Sequence, residues 1–287
     1  MKTIICNGIP VCYRTCLTKN ESKNSITIIC LHNGGTDHSI WSPIAEILSE
    51  KYTVIQLDWP GYGENRGEPK GHGLGDYADI LFNFIKQCEL KSVVLVGNCL
   101  GSGTALEYCI RSKGAGIHAM VLFNVLLPRT LGLDGEFFFR WSGSRFNKLY
   151  HKFRESLFVP GPLTGAVVRY QIKNPGKVSA DIKEHLKKLN AAPANVRNLG
   201  LVIEALNKST RLNSLKMLDY FPPTMVIWGD KNKVLPLKKG EKFVWDFDPS
   251  DFQVLNGGHL VMLEQPNESA EKIFEFIHQA NRLNGNK

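Results

Sequence analysis

The strongest constraint on how this chain folds is a series of short, unbroken apolar runs separated by amphipathic segments. The runs are SITIICL at 25–31, TVIQL at 53–57, SVVLV at 92–96, IHAMVLFN at 117–124 and PTMVIW at 223–228, with a shorter one at 252–255. A strand without polar alternation is covered on both faces, as in a parallel sheet flanked by helices. Between the runs, Trp41, Ile44, Ala45, Ile47 and Leu48 form a helical stripe. Tyr77, Ile80, Leu81, Phe84, Ile85 and Cys88 fall on one helix face, with Asp76 predicted as its cap. Helices are also predicted after Val96 to about Arg111, from Leu237 to Trp245, and at the end of the chain, where Ala270, Ile273, Phe274 and Ile277 share a face. Residues 3–6 and 11–16 flank Asn7-Gly8 and read as an opening hairpin. The expectation is an α/β protein with a mostly parallel, twisted sheet wrapped by helices.

The alternation breaks after residue 125 and resumes at 221. This divides the 287 residues into a first core part at 1–125, a helical lid insertion at 126–220 and a second core part at 221–287. The insertion begins with Phe137, Phe138, Phe139, Trp141, Phe146, Tyr150 and Phe153, read mainly as packing between lid helices and in part as an apolar acyl pocket. It holds 16 Lys plus Arg against 7 Asp plus Glu, whereas the rest holds 19 against 20, so the positive excess of the chain lies entirely there. Such a concentration reads either as a field that steers an acidic partner or as a solvated helical surface. Nucleic acid is not expected, because no binding motif accompanies the charge. No run approaches the roughly 20 apolar residues that cross a bilayer. The start, MKTIICNGIPVCYR, lacks the apolar stretch of a signal peptide, and the seven cysteines lack paired spacing, so a cytoplasmic location is expected. Cys6, Cys12, Cys16, Cys30, Cys88 and Cys109 read as small buried hydrophobes. Neither a metal cluster nor a glycine-rich phosphate loop is present in the pattern.

Cys99 stands apart. Gly97-Asn98-Cys99-Leu100-Gly101 lies between an apolar strand and a helix, and matches G-x-S-x-G with cysteine in place of serine. The glycines permit a tight turn that presents the nucleophile, and the helix start favours a thiolate. The competing reading is a buried core cysteine in a glycine turn. At these residues the chain resembles the α/β-hydrolase superfamily with a cysteine nucleophile, over nearly its whole length. ICLHNGG at 29–35 is similar to that family's oxyanion loop, with Asn33 in place of the first glycine. LDWPGYGEN at 57–65 resembles its D-x-P-G-x-G segment, WGDKNKVLP at 228–236 its acid loop, and NGGHLVMLEQP at 256–266 its histidine loop.

The resemblance implies the α/β-hydrolase fold, His259 as general base, His32 in a structural role, and the backbone amides of Gly34 and Leu100 as oxyanion donors. The position four residues before Pro236, where the family carries its acid, holds Asn232, and Asp230 is two residues away. Either Asp230 reaches His259 through a shifted loop, or Asn232 orients the imidazole as a neutral group. A thiol with an ordinary pKa of about 8.5 ionises far more easily than a hydroxyl, so a thiolate and imidazolium could form without a carboxylate. Asp246, Asp248 and Asn124 are weaker candidates, and His38 and His72 would need an unusual loop geometry.

An acyl-cysteine is itself a thioester, so its formation from a thioester donor is nearly neutral in energy. The first expectation is therefore an acyl-transfer enzyme resembling the carrier-dependent acyl and aminoacyl transferases, which passes a small acyl or aminoacyl group to a carrier thiol or to water. An acidic carrier protein would dock near the basic lid. No cofactor is expected beyond a phosphopantetheine or coenzyme A thioester belonging to the substrate. Two alternatives stand beside it: a simple ester, lactone or thioester hydrolase, and a non-catalytic ligand binder, which Asn33 and Asn232 favour.

Overall fold

The computed structural model describes residues 1–18, 26–65, 72–131, 161–206, 212 and 215–285. Eight strands form one sheet: β1 (Lys2–Cys6), β2 (Ile9–Cys16), β3 (Ile26–Leu31), β4 (Thr53–Asp58), β5 (Ser92–Asn98), β6 (Ile117–Phe123), β7 (Thr224–Gly229) and β8 (Asp251–Leu255). Their spatial order is β1-β2-β4-β3-β5-β6-β7-β8. The first two pairings are antiparallel and the other five parallel. Asn7 and Gly8 both take positive φ, 53° and 74°, in the hairpin that opens the sheet.

The helices are α1 (Ser42–Leu48), α2 (Leu74–Gln87), α3 (Leu100–Ser112), α4 (Gly161–Gln171), α5 (Ala180–Ala191), α6 (Pro193–Leu206), α7 (Leu237–Phe247), α8 (Val261–Glu264) and α9 (Pro266–Gly285). Helices α2, α3 and α7 cover one face of the sheet, over Ile29, Leu31, Leu95 and Leu122. Helices α1 and α9 cover the other, over Ile28, Cys30, Val94 and Val96. Successive residues of β3 and β5 thus enter opposite cores, which is why their runs carry no polar alternation.

Three predicted details differ. α2 begins at Leu74, because Leu74 is itself buried, so Asp76 sits within the first turn and its carboxylate accepts the Gly73 N–H at 2.8 Å. β5 extends past Val96 to Asn98, carried by parallel pairing with β6 up to Phe123. In α9 the buried face is completed by Phe276, three residues after Ile273, and Phe274 lies half-buried against Tyr52. The aromatic cluster between Phe137 and Phe153 lies outside the described residues. Helices α4, α5 and α6 intervene between β6 and β7. All seven cysteines are free, with Cys16 and Cys88 half-buried and the others buried.

Candidate active site

Cys99 joins β5 to α3 with φ 52° and ψ −107°, an uncommon conformation for a residue bearing a Cβ. The surrounding glycines make that turn possible. A Cβ on Gly97 would lie 2.5 Å from the Gly101 carbonyl carbon and the Ser102 nitrogen, and one on Gly101 would overlap the Leu31 carbonyl of the neighbouring strand. Gly103 is similarly closed in, with the Leu126 carbonyl oxygen 2.8 Å from a built Cβ. Helix α3 therefore starts pressed against the ends of β3 and β6, which aims its N-terminus at the cysteine. The Cys99 N–H donates to the Phe123 carbonyl at 3.0 Å, and Ser102 Oγ ties the carbonyls of Gly97 and Phe123 together.

The loop after β3 supplies the next component. His32 is fully buried, its Nδ1–H donates to the Asn33 carbonyl at 2.8 Å, and its Nε2 accepts the Trp59 N–H at 2.9 Å. Both ring nitrogens are used in fastening the β3 loop to the β4 loop, which is the structural role the sequence implied. Gly34 follows, and its N–H meets no acceptor among the described residues. A Cβ there would lie 2.9 Å from Leu199 of α6 and 3.9 Å from Leu100, so the β3 loop, the turn at Cys99 and α6 meet at this point. Leu100 opens α3 directly after Cys99.

His259 lies between β8 and α8 and is 2% exposed. Its loop is held by main-chain bonds. The His259 and Leu260 N–H groups donate to the Gln171 carbonyl at the end of α4, at 2.7 and 3.2 Å. The buried Glu264 carboxylate accepts the N–H groups of Gly258, Lys173 and Asn174, tying the same loop to the segment after α4. The His259 carbonyl accepts from the side-chain amides of Asn98 at 3.3 Å and Asn124 at 3.1 Å, which fastens the loop to the residue just before Cys99.

Neither proposed orienting group is hydrogen-bonded to the imidazole, whose Nδ1 is buried without a partner among the described residues. Asp230 faces outward: its carboxylate accepts from Lys173 Nζ at 3.2 Å and from the Gly257 N–H at 3.0 Å. The shifted-loop reading fails because that carboxylate is already taken. Asn232 is buried, but its Nδ2 donates to Asn124 Oδ1 at 2.9 Å and its Oδ1 accepts the Leu235 N–H at 2.9 Å, so it braces its own loop. Asp246 is paired with Arg129 at 2.8 Å, and Asp248 is the C-cap of α7. His38 is paired with Asp58.

Burial dominates the electrostatics. It pushes the Cys99 thiol up to about 12 against a smaller lowering from the Leu100 N–H, and it pushes the His259 imidazole down to about 3. At neutral pH both groups are neutral. This corrects the expectation of an exposed, pre-ionised sulfur: Cys99 is 8% exposed, and desolvation opposes the ion pair that the chemistry of a free thiol favours.

Several parts of the site were missing from the sequence reading. Asn98, Gln171, Glu264 and Leu199 reach the site through contacts between residues about 90 to 165 apart in the chain, and no local spacing announces them. Asn98 had a signal only in its place beside Cys99. Among the described residues no group of three or more His, Cys, Asp or Glu side chains could hold a metal, and no helix is long and apolar enough to cross a membrane.

A family model described as alpha/beta hydrolase fold matches residues 26–266. A 2-hydroxy-6-oxononadienedioate/2-hydroxy-6-oxononatrienedioate hydrolase of Klebsiella pneumoniae is 20% identical over 269 residues, covering 88% of each chain. The structure is similar to that of an esterase from Thermogutta terrifontis, with a TM-score of 0.76 and 21% identity over 97% of this chain and 98% of that one. It is also similar to the enol-lactonase of Burkholderia xenovorans LB400, with a TM-score of 0.75 and 15% identity over 96% of this chain and 100% of that one.

Proposed function

For a chain that belongs to the alpha/beta hydrolase fold family, as this one does, we propose hydrolysis of a small ester or lactone through an acyl-Cys99 intermediate. The observation that carries this reading is the strained Cys99 turn, a backbone conformation that costs stability and is maintained by glycines at 97, 101 and 103. Cys99 Sγ attacks the carbonyl carbon while its proton passes to His259. The amides of Leu100 and Gly34 hold the oxyanion. The C–O bond breaks, and the alcohol oxygen leaves with the proton from His259. Water then attacks the thioester, gives a proton to His259, and the returning proton restores the thiol as the acid departs. Because thiol and imidazole are both neutral at rest, proton transfer accompanies attack. The backbone donors act where charge develops, and losing one such donor costs about 3 kcal/mol. The inserted helices serve as the lid, with Leu199 against the oxyanion loop.

The three relatives described above are by name a 2-hydroxy-6-oxononadienedioate/2-hydroxy-6-oxononatrienedioate hydrolase, an esterase and an enol-lactonase, and they support water over a carrier thiol as acceptor. The test is incubation with p-nitrophenyl acyl esters and acyl lactones, followed by intact-protein mass spectrometry. Cys99-dependent turnover and an acyl adduct absent from Cys99→Ala are expected. Binding of ester or lactone without turnover or adduct would favour a ligand binder, and product that appears on an added thiol in place of water would favour transfer.

A further inference from the structure

Four buried asparagines cross the carboxyl ends of the parallel strands: Asn33 after β3, Asn98 at the end of β5, Asn124 after β6 and Asn232 after β7. They form one chain of amides. Asn98 Nδ2 donates to Asn33 Oδ1 at 3.2 Å, Asn124 Nδ2 to Asn98 Oδ1 at 3.0 Å, and Asn232 Nδ2 to Asn124 Oδ1 at 2.9 Å. Asn124 also accepts the Gly229 N–H at 3.1 Å and itself sits at φ 44°, so its backbone is bent to place the side chain there. The chain is directional, every link an Nδ2 donating to an Oδ1, and at its centre two donors converge on a single acceptor, the carbonyl of His259.

We propose that Asn98 and Asn124 are positioning residues that fix the general base through its main chain. The inference rests on the reading of His259 as that base. With no carboxylate bonded to the ring among the described residues, the position of the imidazole is set by its backbone. The backbone is clamped from one side by the Gln171 carbonyl on the N–H and from the other by the two amides on the C=O. Only a donor can do this. An aspartate at 124 has nearly the same shape and can still accept from Gly229 and Asn232, but it would set a carboxylate oxygen against the His259 carbonyl and Asn98 Oδ1.

The experiment compares wild type with Asn124→Asp and Asn98→Asp. It measures kcat and KM on a p-nitrophenyl ester between pH 5 and 8, and amide hydrogen exchange of the segment around His259 and Leu260. The expected result at pH 8 is a fall in kcat of about 10²-fold with KM within about twofold, since misplacing a catalytic group acts on the chemical step. Part of the loss returns as pH falls, because a protonated carboxyl regains a donor. Exchange at His259 and Leu260 quickens while the strands stay protected. Should Asn124→Asp not fold, Asn98→Asp removes the other donor while keeping its acceptor for Asn124. Unchanged kcat and unchanged exchange in a folded variant overturn the proposal. If wild type shows no Cys99-dependent turnover, the hydrolase reading fails separately, and the exchange measurement alone decides whether the amides hold the His259 loop.

Discussion

His32 and His259 are both buried histidines on loops at the carboxyl edge of the sheet, and burial lowers the pKa of both. They are fastened in opposite ways. His32 spends both ring nitrogens, one on the Asn33 carbonyl and one on the Trp59 N–H, so its imidazole is a neutral bolt in one tautomer. His259 is held by its backbone N–H and C=O, and among the described residues its ring Nδ1 has no partner. A buried histidine whose ring is fully bonded holds structure. One whose main chain is over-bonded and whose ring is not is available to take a proton.

The largest effect should come from the group that both loops serve: Cys99→Ala is expected to lower kcat/KM by about 10⁴-fold or more with little change in thermal stability, measured by ester hydrolysis and thermal melts. Equal turnover by the alanine variant would remove the nucleophile from the argument. His259→Ala should follow, at about 10²- to 10⁴-fold in kcat for loss of a general base. His32→Ala, by contrast, strands the buried Trp59 N–H and should cost about 2–4 kcal/mol of stability in urea unfolding while kcat per folded molecule stays near wild type. A folded His32→Ala protein with wild-type stability and no activity would reverse the roles assigned to the two rings.

The comparison also has a pH signature. The imidazole of His259 is pushed down to about 3, so the base stays unprotonated as pH falls from 8 to 5, and the thiol, near 12, stays protonated over the same range. The pH profile of kcat/KM should therefore be flat there, and a limb near 6.5 would show a solvated histidine instead. The smallest effect is expected from Asp230→Asn. That carboxylate is partly exposed and pairs with Lys173, so kcat should change by less than about threefold and stability by about 1 kcal/mol or less. A loss as large as that of His259→Ala would mean that Asp230 reaches the imidazole after all.

Much of this arrangement was legible in the chain. The runs at 25–31, 53–57 and 92–96 predicted buried strands because both faces of the sheet are covered, and the glycines at 97 and 101 that flank Cys99 marked a tight turn with no room for a Cβ at either position. Phe274 packs at the edge of the buried face: it is half-buried, directly after Ile273 and two residues before the buried pair Phe276 and Ile277, and a count of apolar positions does not separate edge from centre. The acid was not legible. Asp230 and Asn232 are two residues apart in one loop, and which of them turns toward Lys173 and which toward Asn124 depends on partners 57 and 108 residues away.

The sequence by itself determined the sheet and the sharp turn at Cys99, because each is written in local periodicity or in glycines that only such a turn requires. Only the tertiary structure decided that the sulfur and the imidazole are both neutral, and that His259 is secured through its carbonyl by amides. Burial and hydrogen-bond direction are properties of what surrounds a residue, and those surroundings come from distant parts of the chain.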